Sequence, residues 1–150
     1  MRVVRDDDGH RYLLIEDRDD EWLVRDPATG EETTRPAAAL TDDGGSPLAA
    51  AAAGLPDPVR QLMQATATEA AIGLVVELYD RGPTPARTLI GAVELCESDL
   101  LGLVGELRAA GIVTTTTVGD EPGYRLTDVG QRGVATLRAT TGAADPDRSP

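Results

Sequence analysis

The chain has 150 residues, enough for one or two small domains but not for a large multidomain enzyme. Its 26 acidic residues against 14 basic ones leave a net charge of −12, and every basic residue is Arg; there is no Lys, Phe or Asn. Such a surface repels nucleic acid and anionic lipid as a whole, which argues against a nucleic-acid binder of ordinary type. The one cysteine, Cys96, excludes an internal disulfide and a Cys-based zinc finger, and it reads as a small buried apolar residue. No run nears the ~18 apolar residues of a membrane span. Residues 1–8 lack a signal-peptide core, so a soluble, cytoplasmic protein with no membrane partner is expected.

The first forty residues read as an acidic β-meander. Arg2 to Arg5 is a short strand, Asp8-Gly9 a turn, Arg11 to Glu16 a second strand, and Glu21 to Arg25 a third. Asp26-Pro27-Ala28-Thr29-Gly30 is a strong turn, since Pro presets φ and Gly takes φ > 0, and Glu31 to Arg35 follows as an edge strand. A sheet this small rarely holds a core alone, so it is expected to pack on the helical part or on a partner. Tyr12 and Trp22 read first as that sheet's core, and second as a surface that stacks a base or binds a peptide. Residues 41–56, with Asp42-Asp43-Gly44-Gly45-Ser46-Pro47 and an alanine run, read as a low-complexity linker.

From Asp57 the period changes to helical. Asp57 caps a helix with Pro58 at its first position, and Val59, Leu62, Met63, Ala67, Ala70, Leu74 and Leu78 give one apolar face over a single long helix that ends at Gly82-Pro83. Thr84 caps a second helix with Ala86, Leu89, Ile90 and Val93 inward. Ser98 caps a third, with Leu100, Leu103, Val104 and Leu107 as its stripe and Gly111 as its stop. The β-branched run from Ile112 to Val118 is a strand, Gly119 to Gly123 turns it, and Tyr124-Arg125-Leu126 pairs back. Thr127 caps a last helix with Val129, Val134 and Leu137 inward; residues 140–150 read as a disordered tail.

Two stretches carry a family resemblance. Leu107-Arg108-Ala109-Ala110-Gly111-Ile112-Val113 looks like the exit of the third helix in winged helix-turn-helix domains, and Tyr124-Arg125-Leu126-Thr127-Asp128-Val129-Gly130 is similar to their "Y-x-L-T-x-x-G" return strand and helix cap. With the element order, residues 57–139 resemble the DNA-binding domains of MarR-, PadR- and ArsR-type regulators. The expected class is therefore α+β: a small N-terminal antiparallel β-meander (1–40), a linker (41–56), a winged helix-turn-helix domain (57–139) and a tail (140–150). The acid-rich, Lys-free composition resembles proteins of extreme halophiles, and the whole chain resembles a haloarchaeal winged-helix protein.

The resemblance implies that the third helix enters the major groove with its outward side chains at the bases. Those positions are Glu97, Ser98, Asp99, Gly102, Gly105 and Glu106, where only Ser98 is a neutral hydrogen-bonding side chain. Carboxylates can accept from cytosine N4, but guanine contacts want Arg and adenine contacts want Asn or Gln. Asp120 and Glu121 at the wing tip carry the wrong sign for phosphate. The candidate DNA contacts are Ser98 together with Arg87, Arg108, Arg125 and Arg132 as backbone contacts. Residues 57–139 hold seven Arg against eleven acids, whereas residues 1–56 hold six against thirteen, so the helical part is the less acidic one.

Two readings stay open at this level. One is a DNA-associated regulator or accessory factor of a DNA-handling complex. The other is an adaptor for a protein partner that uses the acidic third helix. A homodimer fits either, through small and apolar residues of the last helix (Gly130, Gly133, Val134, Ala135, Leu137) or through Ile72, Val75 and Val76 of the first; packing within one chain explains the same residues. An enzyme is not expected. The carboxylates around Asp6-Asp7-Asp8 and Asp17 to Glu21 lack EF-hand spacing, His10 has no second His, and Gly44-Gly45 lacks a phosphate-loop Lys, so no metal and no cofactor are expected.

Overall fold

The computed structural model describes residues 1–143, with side chains through Thr140. The chain divides into two compact units, residues 1–56 and the part from Asp57 onward. No helix among the described residues is long and apolar enough to cross a membrane.

The first unit is a five-stranded antiparallel sheet. Its strands are β1 (Arg2–Asp6), β2 (Arg11–Arg18), β3 (Glu21–Arg25), β4 (Glu32–Pro36) and β5 (Leu40–Asp42), in the order β4-β3-β2-β1-β5. A one-turn 3-10 helix, Ala37–Ala39, returns the chain from β4 so that β5 pairs with β1. A bulge at Ile15 breaks the register of β2 against β3 between Leu14 and Glu16; such bulges bend a strand and raise its twist. One face buries Val4, Tyr12, Leu14, Val24 and Leu40 with Trp22 against them. The other buries Val3 and Leu13 under Ala50 of helix α1 (Pro47–Ala52). Residues 41–56, expected as a linker, thus hold β5 and α1. The reason is local: Ser46 caps α1 by accepting the Ala49 N–H at 3.3 Å, and Ala50 is small enough to lie on the sheet. This gives the sheet a second core that the sequence reading lacked.

Tyr12 and Trp22 join the same cluster, as the simpler of their two readings has it. Arg35 lies over the Tyr12 ring at 4.7 Å and Arg2 over the Trp22 ring at 5.2 Å. Asp6 organises the β1–β2 turn by accepting the N–H groups of Asp8 and His10. Asp26 does the same for the next turn: its carboxylate accepts the Ala28 N–H and pairs with His10 Nε2 at 3.0 Å, and these contacts hold it below the usual carboxylate range.

The second unit runs α2 (Asp57–Ala65), α3 (Glu69–Arg81), β6 (Thr84–Pro85), α4 (Ala86–Ala92), α5 (Glu97–Ala109), β7 (Val113–Val118), β8 (Glu121–Leu126) and α6 (Asp128–Ala143). Its core is Leu62, Leu74, Val75, Leu78, Leu89, Leu100, Val104, Leu107, Ile112, Val113, Leu126 and Val134. The single long helix expected from Asp57 is two helices. Thr66 turns its hydroxyl back to the Leu62 carbonyl, and Thr68 becomes a cap, accepting the Ala71 N–H at 3.2 Å. These local bonds compete with a continuous helix. The break rephases the apolar face, so Ala71 and Val75 are buried while Met63, Ala67 and Ala70 are exposed.

Three smaller expectations also shift. Thr84 does not cap α4; it pairs with Tyr124 in β6, is buried, and donates to the Gly82 carbonyl. Ser98 does not cap α5, whose N-cap is Cys96. Cys96 is exposed rather than buried, because a cap residue stands outside the helix it precedes. Thr127 does cap α6, accepting the Gly130 N–H. The expected tail at 140–150 begins inside α6, and residues 144–150 lie outside the described residues.

Candidate nucleic-acid interface

Helix α4, a four-residue turn and helix α5 form a helix-turn-helix pair. Leu89 anchors α4, and Leu100, Val104 and Leu107 anchor α5; all are essentially inaccessible to solvent. Glu94 holds the turn in the left-handed region, at φ 54°. With one face of α5 fixed in the core, its other face is presented outward. Glu97, Ser98, Asp99, Gly102, Gly105 and Glu106 are all exposed, as read from the sequence. Leu101 joins them at 44% exposure, an apolar contact that the sequence reading passed over although it falls outside the Leu100-Leu103-Val104-Leu107 stripe.

Strands β7 and β8 form the hairpin beside this pair. Gly119 and Asp120 both take positive φ, 53° and 67°, with Val118 opposite Glu121. That is the two-residue type I′ turn whose twist matches flanking strands. Strand β8 lies between β7 and β6, so the hairpin is stitched to the segment that leads into α4.

The five candidate residues are placed separately around this frame. Arg87, on α4, reaches the hairpin and pairs with Glu121 at 2.9 Å. Arg132 pairs with Asp128 one turn earlier on α6, also at 2.9 Å. Arg125 stands on β8 and donates to the Leu126 carbonyl, and Arg108 closes the last turn of α5; neither has an ion-pair partner among the described residues. Ser98 lies 3.3 Å from the Cys96 sulfur at the start of α5. Two of the four Arg are thus engaged with carboxylates, but both pairs are exposed, and exposed pairs contribute only about 0–1 kcal/mol.

Away from this face, Met63, Ile72, Val76 and Leu137 line an apolar groove of about 280 Å³ between α2, α3 and α6. Met63 is 64% and Ile72 50% exposed, and together they give the groove a contiguous apolar rim. The small residues of α6 do not contribute to it. Gly133 is buried against Leu62 and the Pro58 carbonyl of α2, and Gly130 against the Ile112 carbonyl, so packing within the chain accounts for both.

Solved structures share this arrangement. The homodimeric winged helix-turn-helix DNA-binding domain of Mb0332 from Mycobacterium bovis, a possible ArsR-family transcriptional regulator, is 17% identical; the match covers 72% of this chain and 98% of that one, with a TM-score of 0.50. Rv0081 from M. tuberculosis is 24% identical over 69% of this chain and 98% of its own, also with a TM-score of 0.50. These likenesses establish a winged helix-turn-helix fold. No curated protein matches the sequence. A family model does match, over residues 1–138, and the chain therefore belongs to the family of unknown function DUF7346.

Proposed function

We propose that this protein is a cytoplasmic winged-helix regulator of transcription, a binding protein rather than an enzyme, that contacts DNA as a homodimer. The observation that carries this reading is the outward face of α5, held by its buried stripe beside a hairpin whose Arg125, like Arg108 at the helix end, is free of ion pairs among the described residues. In this reading α5 lies in the major groove. Ser98 donates or accepts at a base edge, Glu97 and Asp99 accept from cytosine N4, and Leu101 meets a thymine methyl. Arg87, Arg108, Arg125 and Arg132 contact phosphates. Four such contacts release few counterions, giving a salt slope of about −3 to −4 in log K against log[salt]. The apolar groove around Met63 and Ile72 pairs two copies.

The test is fluorescence anisotropy with mixed genomic DNA fragments over a KCl series, with the Arg87→Ala/Arg125→Ala variant alongside. Binding that weakens in the variant supports the assignment. An absence of binding at every salt concentration that keeps the protein folded refutes it.

One observation favours a second reading. Glu94, Glu97, Asp99, Glu106 and Asp120 all stand on the helix-turn-helix and wing without an ion-pair partner among the described residues. An adaptor that docks a protein partner on this acidic face has the matching chemistry. Purification from the native source at high salt separates the two, since a chain that emerges alone leaves the adaptor without its partner.

A further inference from the structure

The outer edge of the wing sheet is open in a way the other sheet edges are not. In the order β6-β8-β7, strand β7 has a neighbouring strand on one side only among the described residues. The register shows which of its backbone groups are free. The type I′ turn makes Val118 and Glu121 a hydrogen-bonded pair, and in an antiparallel ladder such pairs alternate. Thr116 and Thr114 therefore also bond to β8. At the far end the Thr127 N–H donates to the Ile112 carbonyl at 2.9 Å, which keeps the same even-numbered phase. The N–H and C=O groups of Val113, Thr115 and Thr117 thus point away from β8. Val113 is buried, but Thr115 and Thr117 are exposed.

Natural sheets blunt such edges with charge, proline, bulges or short length. The other edges here follow that rule. Strand β4 carries Glu32, Arg35 and Pro36; β5 is three residues long and ends on Asp42; β6 is two residues long and contains Pro85. Strand β7 has six residues in regular register, Val-Thr-Thr-Thr-Thr-Val, with no charge, proline or glycine. Four consecutive Thr also favour extended backbone.

We propose that the edge of β7 takes an extended, basic segment of a partner protein as an added strand. The backbone groups of Thr115 and Thr117 supply the hydrogen bonds, and the row of Thr side chains accepts neighbours without charge conflict. Charge selects the partner. Asp120, at the tip, has no ion-pair partner among the described residues, and a chain of net charge −12 attracts a basic segment.

The probe is the synthetic peptide acetyl-Lys-Thr-Val-Thr-Val-Thr-Arg-amide, added to the isotope-labelled full chain at the lowest KCl concentration that keeps it folded. Amide exchange at Thr115 and Thr117 is expected to slow by at least about tenfold, while Thr114 and Thr116, already bonded to β8, change little. Thr115→Pro removes one outward N–H without touching the β7–β8 ladder, and it is expected to abolish the protection at Thr117. Should that variant misfold, Thr115→Lys keeps the backbone intact and is expected to weaken binding of the basic peptide at least fivefold, on the order of 1 kcal/mol. The proposal is overturned if the peptide protects neither amide, if both variants bind it like the wild type, or if the two amides become protected with rising protein concentration alone, which identifies a second copy as the occupant.

Discussion

Two glycines on helices of the second unit should respond to the same substitution with opposite signs. Gly133 sits within α6 where α2 passes it. A Cβ there would lie 2.9 Å from the Pro58 carbonyl oxygen and 2.5 Å from Cδ1 of Leu62. Gly102, on the outer side of α5, has nothing within 4 Å of the same position among the described residues beyond its chain neighbours and its own helix backbone. Gly102→Ala therefore gains only helix propensity, about 0.8–1 kcal/mol. Gly133→Ala gains the same amount but overpacks. Leu62 must leave its rotamer, and a backbone oxygen, which cannot rotate aside, forces α2 to retreat. Overpacking costs about 1–3 kcal/mol, and the backbone contact places this case in the upper part of that range, for a net loss of about 1–2 kcal/mol. Thermal unfolding followed by far-UV circular dichroism resolves this, since 1 kcal/mol moves the midpoint of a small domain by about 4–8 °C. Gly133→Ala is expected to melt several degrees below the wild type and Gly102→Ala above it. A Gly133→Ala protein that melts with or above the wild type would refute the close α2–α6 crossing.

Further outcomes follow from other contacts. Thr68→Ala removes the side-chain cap of α3 and is expected to cost about 1 kcal/mol in urea unfolding, with Thr68→Ser restoring most of it. Leu89, fully buried under α4, should lose about 2–5 kcal/mol as Leu89→Ala, and a smaller loss would mean that the site collapses to fill the cavity. Asp26 is held below its ordinary range by the Ala28 N–H and then by His10, so its contribution is present above the unfolded carboxylate value and is lost as pH falls through the folded one. Asp26→Asn should flatten the decline in stability on acidification below about pH 4, and an unchanged acid limb would exclude this carboxylate as its source. Ile72→Glu places a charge in the α2–α3–α6 groove and should give a monomer by analytical ultracentrifugation, with DNA affinity falling as avidity is lost.

Much of the fold is legible in the sequence because punctuation and period agree. Asp26-Pro27-Ala28-Thr29-Gly30 fixes a turn whose geometry few residues adopt, and the stripes of α4 and α5 name their own buried faces; the expected turn from Gly119 to Gly123 shrinks to Gly119-Asp120, because Glu121, Pro122 and Gly123 already pair with β7. The failures come from residues whose role is decided by a partner that the hydrophobic pattern does not name, some near and some far. Ala50 becomes core only because Val3 and Leu13 lie beneath it. Gly133 reads as a helix-contact residue from sequence, correctly, but whether the contact is with α2 or with another copy is decided by where α2 lies. Thr66 and Thr68 look compatible with a helix until their hydroxyls find backbone partners four residues back and three residues ahead. Of the candidate interface, the exposed row on α5 follows from its stripe. The pairing of Arg87 with Glu121 does not, since it joins residues brought together only by the sheet.

The interruption between α2 and α3 also sets how the second unit comes apart. A continuous helix from Asp57 to Arg81 could hold together cooperatively along its length. Helices of nine and thirteen residues, by contrast, lie at or below the length at which an isolated helix is marginal in water. Each therefore keeps its structure only through what it packs on. Helix α2 borrows its order from α6, through Leu62 and Gly133, whereas α3 borrows its order from the Leu74–Leu78 side of the core. The two should exchange their amide hydrogens as separate units, with α2 opening in step with α6 and α3 persisting with the core around Leu74 and Leu78. A disturbance that begins at one end of this domain then stops at three residues, Thr66-Ala67-Thr68, instead of running the length of a rod.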